Sequence, residues 1–148
     1  MGKKGIAIVC NLDTRGEDIA FVKELIASRG HEALFLDFSM EEPPPFPGDI
    51  RTEEVAARGG MAIAEVREKC RSDRDAATRN QIAGAAAILE ELVAAGRIHG
   101  VIGIGGDRVP AAEAARRGRA PALRRQAPGR GARLQQLAQP PEHPLDGG

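Results

Sequence analysis

Apolar residues along the first hundred positions follow two rhythms. Three short, nearly unbroken runs occur at residues 5–11 (GIAIVCN), 32–38 (EALFLDF) and 98–104 (IHGVIGI), the pattern of strands buried on both faces of a parallel sheet. Between them the apolar positions recur every three or four residues, as on a helix with one buried face. Ile19, Val22, Leu25 and Ile26 mark the first helix, with Thr14 and Glu17 in capping-box spacing at its start and Gly30 at its end. Residues 40–49 (MEEPPPFPGD) carry too many prolines for a helix interior or central strand and predict a loop or spacer. Residues 52–70 read as a helix with Val55, Ile63 and Val66 inward, divided by Gly59 and Gly60. Ser72 and Asp75 repeat the capping-box spacing before a longer helix whose face carries Ile82, Ala86, Leu89 and Val93 and which stops at Gly96.

This strand–helix–strand rhythm favours right-handed parallel crossovers. The expected fold is α/β: a small Rossmann-like parallel sheet of three strands, order 2-1-3, with flanking helices and an unstructured C-terminal tail. Residues 1–106 form the lobe. Beyond Gly106 the composition changes: 28 of the 42 residues are Arg, Ala, Pro or Gly, with no Lys, Ile or Phe. That segment holds too little apolar content for a core of its own.

Composition narrows the partners. The formal net charge is zero, which gives no reason to expect nucleic acid or an anionic membrane surface. The sum hides an asymmetry, because residues 1–106 carry 13 Lys and Arg against 17 Asp and Glu, and residues 107–148 carry 8 Arg against 4 acids. Four Phe and no Trp or Tyr predict a core of Ile, Val, Leu and Ala. Cys10 and Cys70 form neither a disulfide framework nor metal-ligand spacing, which suits a reducing, cytoplasmic setting. No stretch approaches the roughly 20 apolar residues of a membrane helix.

Ligand chemistry is expected where strand ends meet solvent. In a 2-1-3 sheet the loop 11–16 and Gly103–Gly106 face each other across the point where strand order reverses, where α/β sheets bind ligands. A phosphate there would take backbone N–H groups from the glycine turn of Gly103, Gly105 and Gly106, and from a helix starting near Thr14 and Gly16. Asp13 is placed to hold Mg²⁺ or a ribose hydroxyl, or to serve as a solvated turn residue. Asp37, an acid near the end of the second strand, is placed to hold a ribose. The glycines match neither a dinucleotide fingerprint nor a P-loop. No Ser/His/Asp or Cys/His pairing is suggested locally, so no catalytic group is named. His99 reads as a packing or edge residue, and Cys10 as a small buried one.

Three segments, in order, resemble a known family. Leu12-Asp13-Thr14-Arg15-Gly16-Glu17 resembles the Leu-Asp-Thr-Lys-Gly-Glu motif of the Tm-one-like ATP-binding proteins, related to the N-terminal domain of a plant tobamovirus-resistance protein. Residues 96–106 (GRIHGVIGIGG) resemble its glycine-rich signature, and Asp73-Arg74-Asp75-Ala76 is similar to its Asp-Arg-Gly-Glu-Ala segment. The resemblance implies a longer two-lobed protein, a nucleotide partner, and ATP with Mg²⁺ as cofactor. The chain departs from the family at Asp107-Arg108-Val109-Pro110. An acid there repels phosphate and Pro110 lacks a backbone donor, so nucleotide binding is expected to be impaired. Two alternatives carry different chemistry: a protein-interaction module without catalysis, and a cobalamin-type module, whose loop shares an aspartate and a nearby glycine but has a histidine where Arg15 stands.

The abrupt change after Gly106 predicts a tail read in a shifted frame, since Arg, Ala, Pro and Gly have GC-rich codons. Residues 122–130 (ALRRQAPGR) can be back-translated so that a one-base advance reads Pro-Phe-Gly-Val-Lys-Leu-Leu-Val, an apolar strand. A three-stranded sheet also leaves two edges exposed, through which homo-oligomers can form.

Overall fold

In the computed structural model, residues 2–105 are described, apart from the side chains of residues 14–17. Seven elements follow in order: β1 (Gly5–Cys10), α1 (Leu12–Ser28), β2 (Glu32–Asp37), α2 (Thr52–Gly59), α3 (Ile63–Ser72), α4 (Arg74–Ala94) and β3 (Gly100–Ile104). The three strands form a parallel sheet of order β2-β1-β3. Gly5 pairs with Glu32 and Cys10 with Asp37 on one side of β1, and Ile6 pairs with Gly100 and Cys10 with Ile104 on the other.

Side chains alternate across each strand and divide the core in two. Ala7, Val9, Leu36 and Val101 meet Val55, Val66, Ala85, Ile88 and Leu89 from α2, α3 and α4. Ile8, Cys10 and Phe35 point the other way and meet Leu12, Ile19 and Ile26 of α1. The result is three layers, with α1 alone on one face and α2 to α4 on the other.

The 52–70 helix divides as expected: α2 ends at Gly60, whose φ of 106° favours glycine, and α3 begins at Ile63. Of the expected stripe on α4, Ala86 and Leu89 are buried, whereas Ile82 and Val93 are only partly so, and Ala77, Gln81, Gly84, Ala85 and Ile88 widen the buried face. The reason is close helix packing. A Cβ on Gly84 would lie 1.9 Å from the Val55 carbonyl oxygen, and one on Gly59 would lie 2.2 Å from that of Asn80, so α2 and α4 meet backbone to backbone. Such contact requires small residues and turns the larger Ile82 aside.

The proline-rich segment is a covering for β2 and not a spacer. Met40 and Ile50 join the core on the α2–α4 side, and Phe46 packs with the α1 side. Ile50 bridges Leu36 in parallel, its N–H donating to the Phe35 carbonyl (2.9 Å) and its carbonyl accepting from the Asp37 N–H (3.0 Å). Asp49 Oδ2 accepts from the Phe35 N–H at 2.7 Å. The outer edge of β2 is therefore capped, which corrects the expectation of two exposed edges. Among the described residues, the outer edge of β3 carries no such bridge. Gly106 and the 107–148 tail lie outside the described residues.

Candidate functional site

The C-terminal edge of the sheet gathers the ends of β1, β2 and β3 with the starts of α1 and α4. Helix α1 begins directly after β1, at Leu12 rather than near Thr14, and its N-cap Asn11 makes no side-chain capping bond. Thr14 and Glu17 consequently fall inside the helix and not at its start, where the sequence placed them. The first two helix N–H groups are met from the end of β2 and the residues just after it. The Asp37 carboxylate accepts from the Leu12 N–H, and the Asp13 N–H donates to Ser39 Oγ at 3.1 Å.

Ser39 ties this junction to the opposite layer. Its hydroxyl and its backbone N–H both donate to Asp37 Oδ1, at 2.5 and 2.9 Å. Its carbonyl accepts from Thr52 Oγ1 at 2.6 Å, and Thr52 Oγ1 in turn accepts from Gln81 Nε2 at 3.1 Å. Asp37, Ser39, Thr52 and Gln81 are all at most 1% exposed. A buried polar line therefore runs from α4 through the start of α2 and the end of β2 to the start of α1. Buried polar groups persist where they are hydrogen-bonded to one another.

Burial raises the Asp37 carboxyl above its ordinary value, against the lowering effect of the Ser39 and Leu12 hydrogen bonds, and the nearby Asp13 raises it further. Desolvation also pushes the Cys10 thiol up, with Asp37 adding to it. Cys10 is 1% exposed and sits as a neutral core residue.

Asp13 occupies a different position. Its Oδ2 accepts from the Glu42 N–H at 3.4 Å, while its Oδ1 is buried without a hydrogen-bond partner among the described residues. Such an atom costs about 1–3 kcal/mol until something donates to it. Arg74, the first residue of α4, is held by Glu41 at 2.7 Å, and that hydrogen bond is the main cause that raises the Arg74 pKa, with the charge of Asp13 a lesser one. Of the two segments expected to face each other, residues 12–16 are helical and Gly103 and Ile104 lie in β3, and what meets is Asn11 and Gly105: a Cβ built on Gly105 would lie 3.6 Å from Asn11 Oδ1.

Of the expected site residues, Asp13, Asp37, Gly103 and Gly105 come to this one edge, Gly103 within β3 opposite Val9. Thr14 and Gly16 belong to the first turns of α1, and Gly106 lies outside the described residues. Asp37 is turned inward to the helix start. Ser39, Thr52, Gln81 and Arg74 join the edge unforeseen. A signal existed for two of them, since Ser39 follows Asp37 at the two-residue spacing of an Asx-type turn, and Gln81 interrupts a row of small residues. His31 and His99 sit at the opposite end of the sheet, where their Nδ1 atoms accept from the Lys4 and Gly5 N–H groups. No group of three or more His, Cys, Asp or Glu that could hold a metal ion occurs among the described residues. No helix there is long and apolar enough to cross a membrane.

Comparison with known proteins gives one consistent result. Residues 4–114 match the model of the N-terminal domain of UPF0261, an uncharacterised protein family. A curated relative, the UPF0261 protein of Clostridium tetani (strain Massachusetts / E88), is 35% identical over 106 residues, covering 72% of this chain and 26% of that protein. The chain thus spans about a quarter of the length of the curated relative it matches. No solved structure matches the chain. These matches overturn the resemblance to the Tm-one-like ATP-binding proteins, and with it the ATP-binding role read from that resemblance. The family description names no activity, so the interaction and cobalamin readings gain nothing from it either.

Proposed function

Taking as premise that the chain belongs to the uncharacterised protein family UPF0261, we propose that residues 4–105 are the ligand-facing part of a small-molecule-binding α/β lobe. The site lies at the C-terminal edge of the sheet, between the β1–α1 junction and the end of β3. The carrying observation is Asp13 Oδ1, a buried acceptor without a donor among the described residues, at the edge where the end of β3 meets the start of α1. A hydroxyl or ammonium group of a ligand supplies that donor. Asn11 and Gly105 line the approach, and Gly103 and Gly105 leave room for it. The Leu12 and Asp13 N–H groups are already taken by Asp37 and Ser39, so the ligand is recognised through its hydrogen-bond donors and not chiefly as an anion. A cytoplasmic setting accords with two free, buried cysteines.

Backbone amide NMR separates the alternatives, with D-ribose and inorganic phosphate as probes at millimolar concentration. Ribose shifts the signals of residues 11–13 and 103–105, phosphate does not, and Asp13→Ala abolishes the ribose effect. Shifts from phosphate alone, or ribose shifts that survive Asp13→Ala, would refute the reading.

A further inference from the structure

Ser39 is held at three points by three different elements. Its N–H and its hydroxyl donate to Asp37 Oδ1 at the end of β2, its carbonyl accepts from Thr52 at the start of α2, and its Oγ accepts from the Asp13 N–H at the start of α1. The residues on either side fix it further. Phe38 and Met40 are buried in the core of the α2–α4 face, and the Phe38 N–H donates to the Cys10 carbonyl at 2.8 Å. Ser39 itself is 1% exposed, so its bonds are made away from bulk water.

Chemistry sets the direction of these bonds. An ionised carboxylate only accepts and a backbone N–H only donates, so a side chain placed between Asp37 and the Asp13 N–H must donate on one side and accept on the other. A hydroxyl does both through one oxygen. With its proton committed to Asp37 at 2.5 Å, Ser39 Oγ keeps its lone pairs for the Asp13 N–H. The helix does not supply this bond itself, because Asn11 at the N-cap makes no side-chain capping bond. The second N–H of α1 is therefore capped from a residue 26 positions farther along the chain. Leu12, 0% exposed, anchors the position before it. Asp13 is left with Oδ2 toward the Glu42 N–H and Oδ1 buried.

We infer, resting on the ligand site proposed at Asp13, that Ser39 is a positioning residue for that site: it fixes the first turn of α1 so that the Asp13 carboxylate stands ready for a hydroxyl or ammonium donor. Ser39 is buried and its polar atoms are engaged within the protein, so it acts through Asp13 and does not touch the ligand. A carboxylate already held in place loses less side-chain freedom when the ligand binds. Loss of the Ser39 hydroxyl is therefore read as weaker binding, over and above any loss of stability. Asp37 acts one step farther back, since it orients the hydroxyl that holds Asp13.

The test compares D-ribose affinity, followed by the amide signals of residues 11–13 and 103–105, with urea stability in variants of the full 148-residue chain. Ser39→Ala removes the hydroxyl. Ser39→Cys keeps the size of the side chain with a thiol that donates and accepts only weakly, and covers the case in which the alanine variant does not fold. Ile26→Ala empties a buried position of α1 about 20 Å from Asp13 along the helix, and so lowers stability without touching the first turn. The Kd for D-ribose should rise at least about fivefold in both Ser39 variants, as for one lost hydrogen bond, and stay within about twofold in Ile26→Ala. Three-bond couplings to the Asp13 carboxyl carbon, which report its side-chain rotamer, should show one rotamer in the wild type and in Ile26→Ala, and averaging in the Ser39 variants. The inference is overturned if the Ser39 variants bind as the wild type does, or if Ile26→Ala weakens binding as much at equal loss of stability. A wild-type chain that does not bind D-ribose sinks the ligand reading alone, and the couplings then decide for Ser39. Averaging confined to the Ser39 variants upholds its hold on Asp13; one rotamer kept in Ser39→Cys, or averaging already present in the wild type, overturns it.

Discussion

Asp37 shows how a residue type suited to one task is committed to another by its neighbours. An acid near the end of a second strand is where ribose recognition is expected, yet here the carboxylate accepts from Leu12 N–H and twice from Ser39. Its charge complements the positive end of α1, but burial still holds its native pKa above the ordinary 3.8. The sign follows from linkage. A raised native pKa means that the folded state binds more protons than the unfolded state between 3.8 and the native value. This group's contribution is therefore full below 3.8 and is lost as pH rises through its native pKa. Urea unfolding across that range should show stability declining with pH in the wild type. Asp37→Asn, which keeps one acceptor oxygen for Ser39 and cannot ionise, should flatten that segment; an unchanged slope would assign the pH dependence to another group.

At the scale of elements, the close approach of α2 and α4 makes Gly84 a sensitive position. Alanine is favoured over glycine in a helix by about 1 kcal/mol, so propensity alone predicts that Gly84→Ala stabilises. The added Cβ would lie 1.9 Å from the Val55 carbonyl oxygen, and parting two packed helices costs about 1–3 kcal/mol or more. Packing should win, with Gly84→Ala lowering unfolding free energy by about 2 kcal/mol in urea titration. The start of α4 provides a second case. Ser72 was expected to cap it, but the cap is Asp73, whose Oδ1 accepts from Ala76 N–H at 3.1 Å, while Ser72 Oγ donates back to the Glu68 carbonyl. Asp73→Ala should cost about 1 kcal/mol, and Ser72→Ala no more than about 0.5 kcal/mol. The reverse order would restore Ser72 as the cap.

These shifts show what the chain reveals locally. Strand positions and the break at Gly59-Gly60 are legible because each depends on a run of neighbouring residues. Caps are legible only to within a residue, since Ser72 and Asp73 have nearly the same chemistry. The Asp37–Ser39–Thr52–Gln81 line is not legible, because its members come from separate elements and meet only when the layers close. Of the candidate site, Asn11, Asp13 and Gly105 could be placed at one edge from strand order alone, whereas the unpaired Asp13 oxygen required the surrounding geometry.

For the whole molecule, the unequal sheet edges set the order of opening. β1 is central, hydrogen-bonded on both sides, and its residues Ala7 to Cys10 are at most 1% exposed. β2 is bonded to β1 and bridged at its outer edge by Ile50. β3 is bonded to β1 alone among the described residues. In a parallel ladder successive residues turn their N–H and C=O groups alternately to the two neighbours, so alternate amides of residues 100–104 face outward. Hydrogen exchange on the free 148-residue chain should therefore be slowest in β1, where opening approaches global unfolding. In β3 it should alternate, with every second amide exchanging quickly. Uniform protection along β3 in a protein shown by light scattering to be monomeric would mean that another part of the same chain lies against that edge.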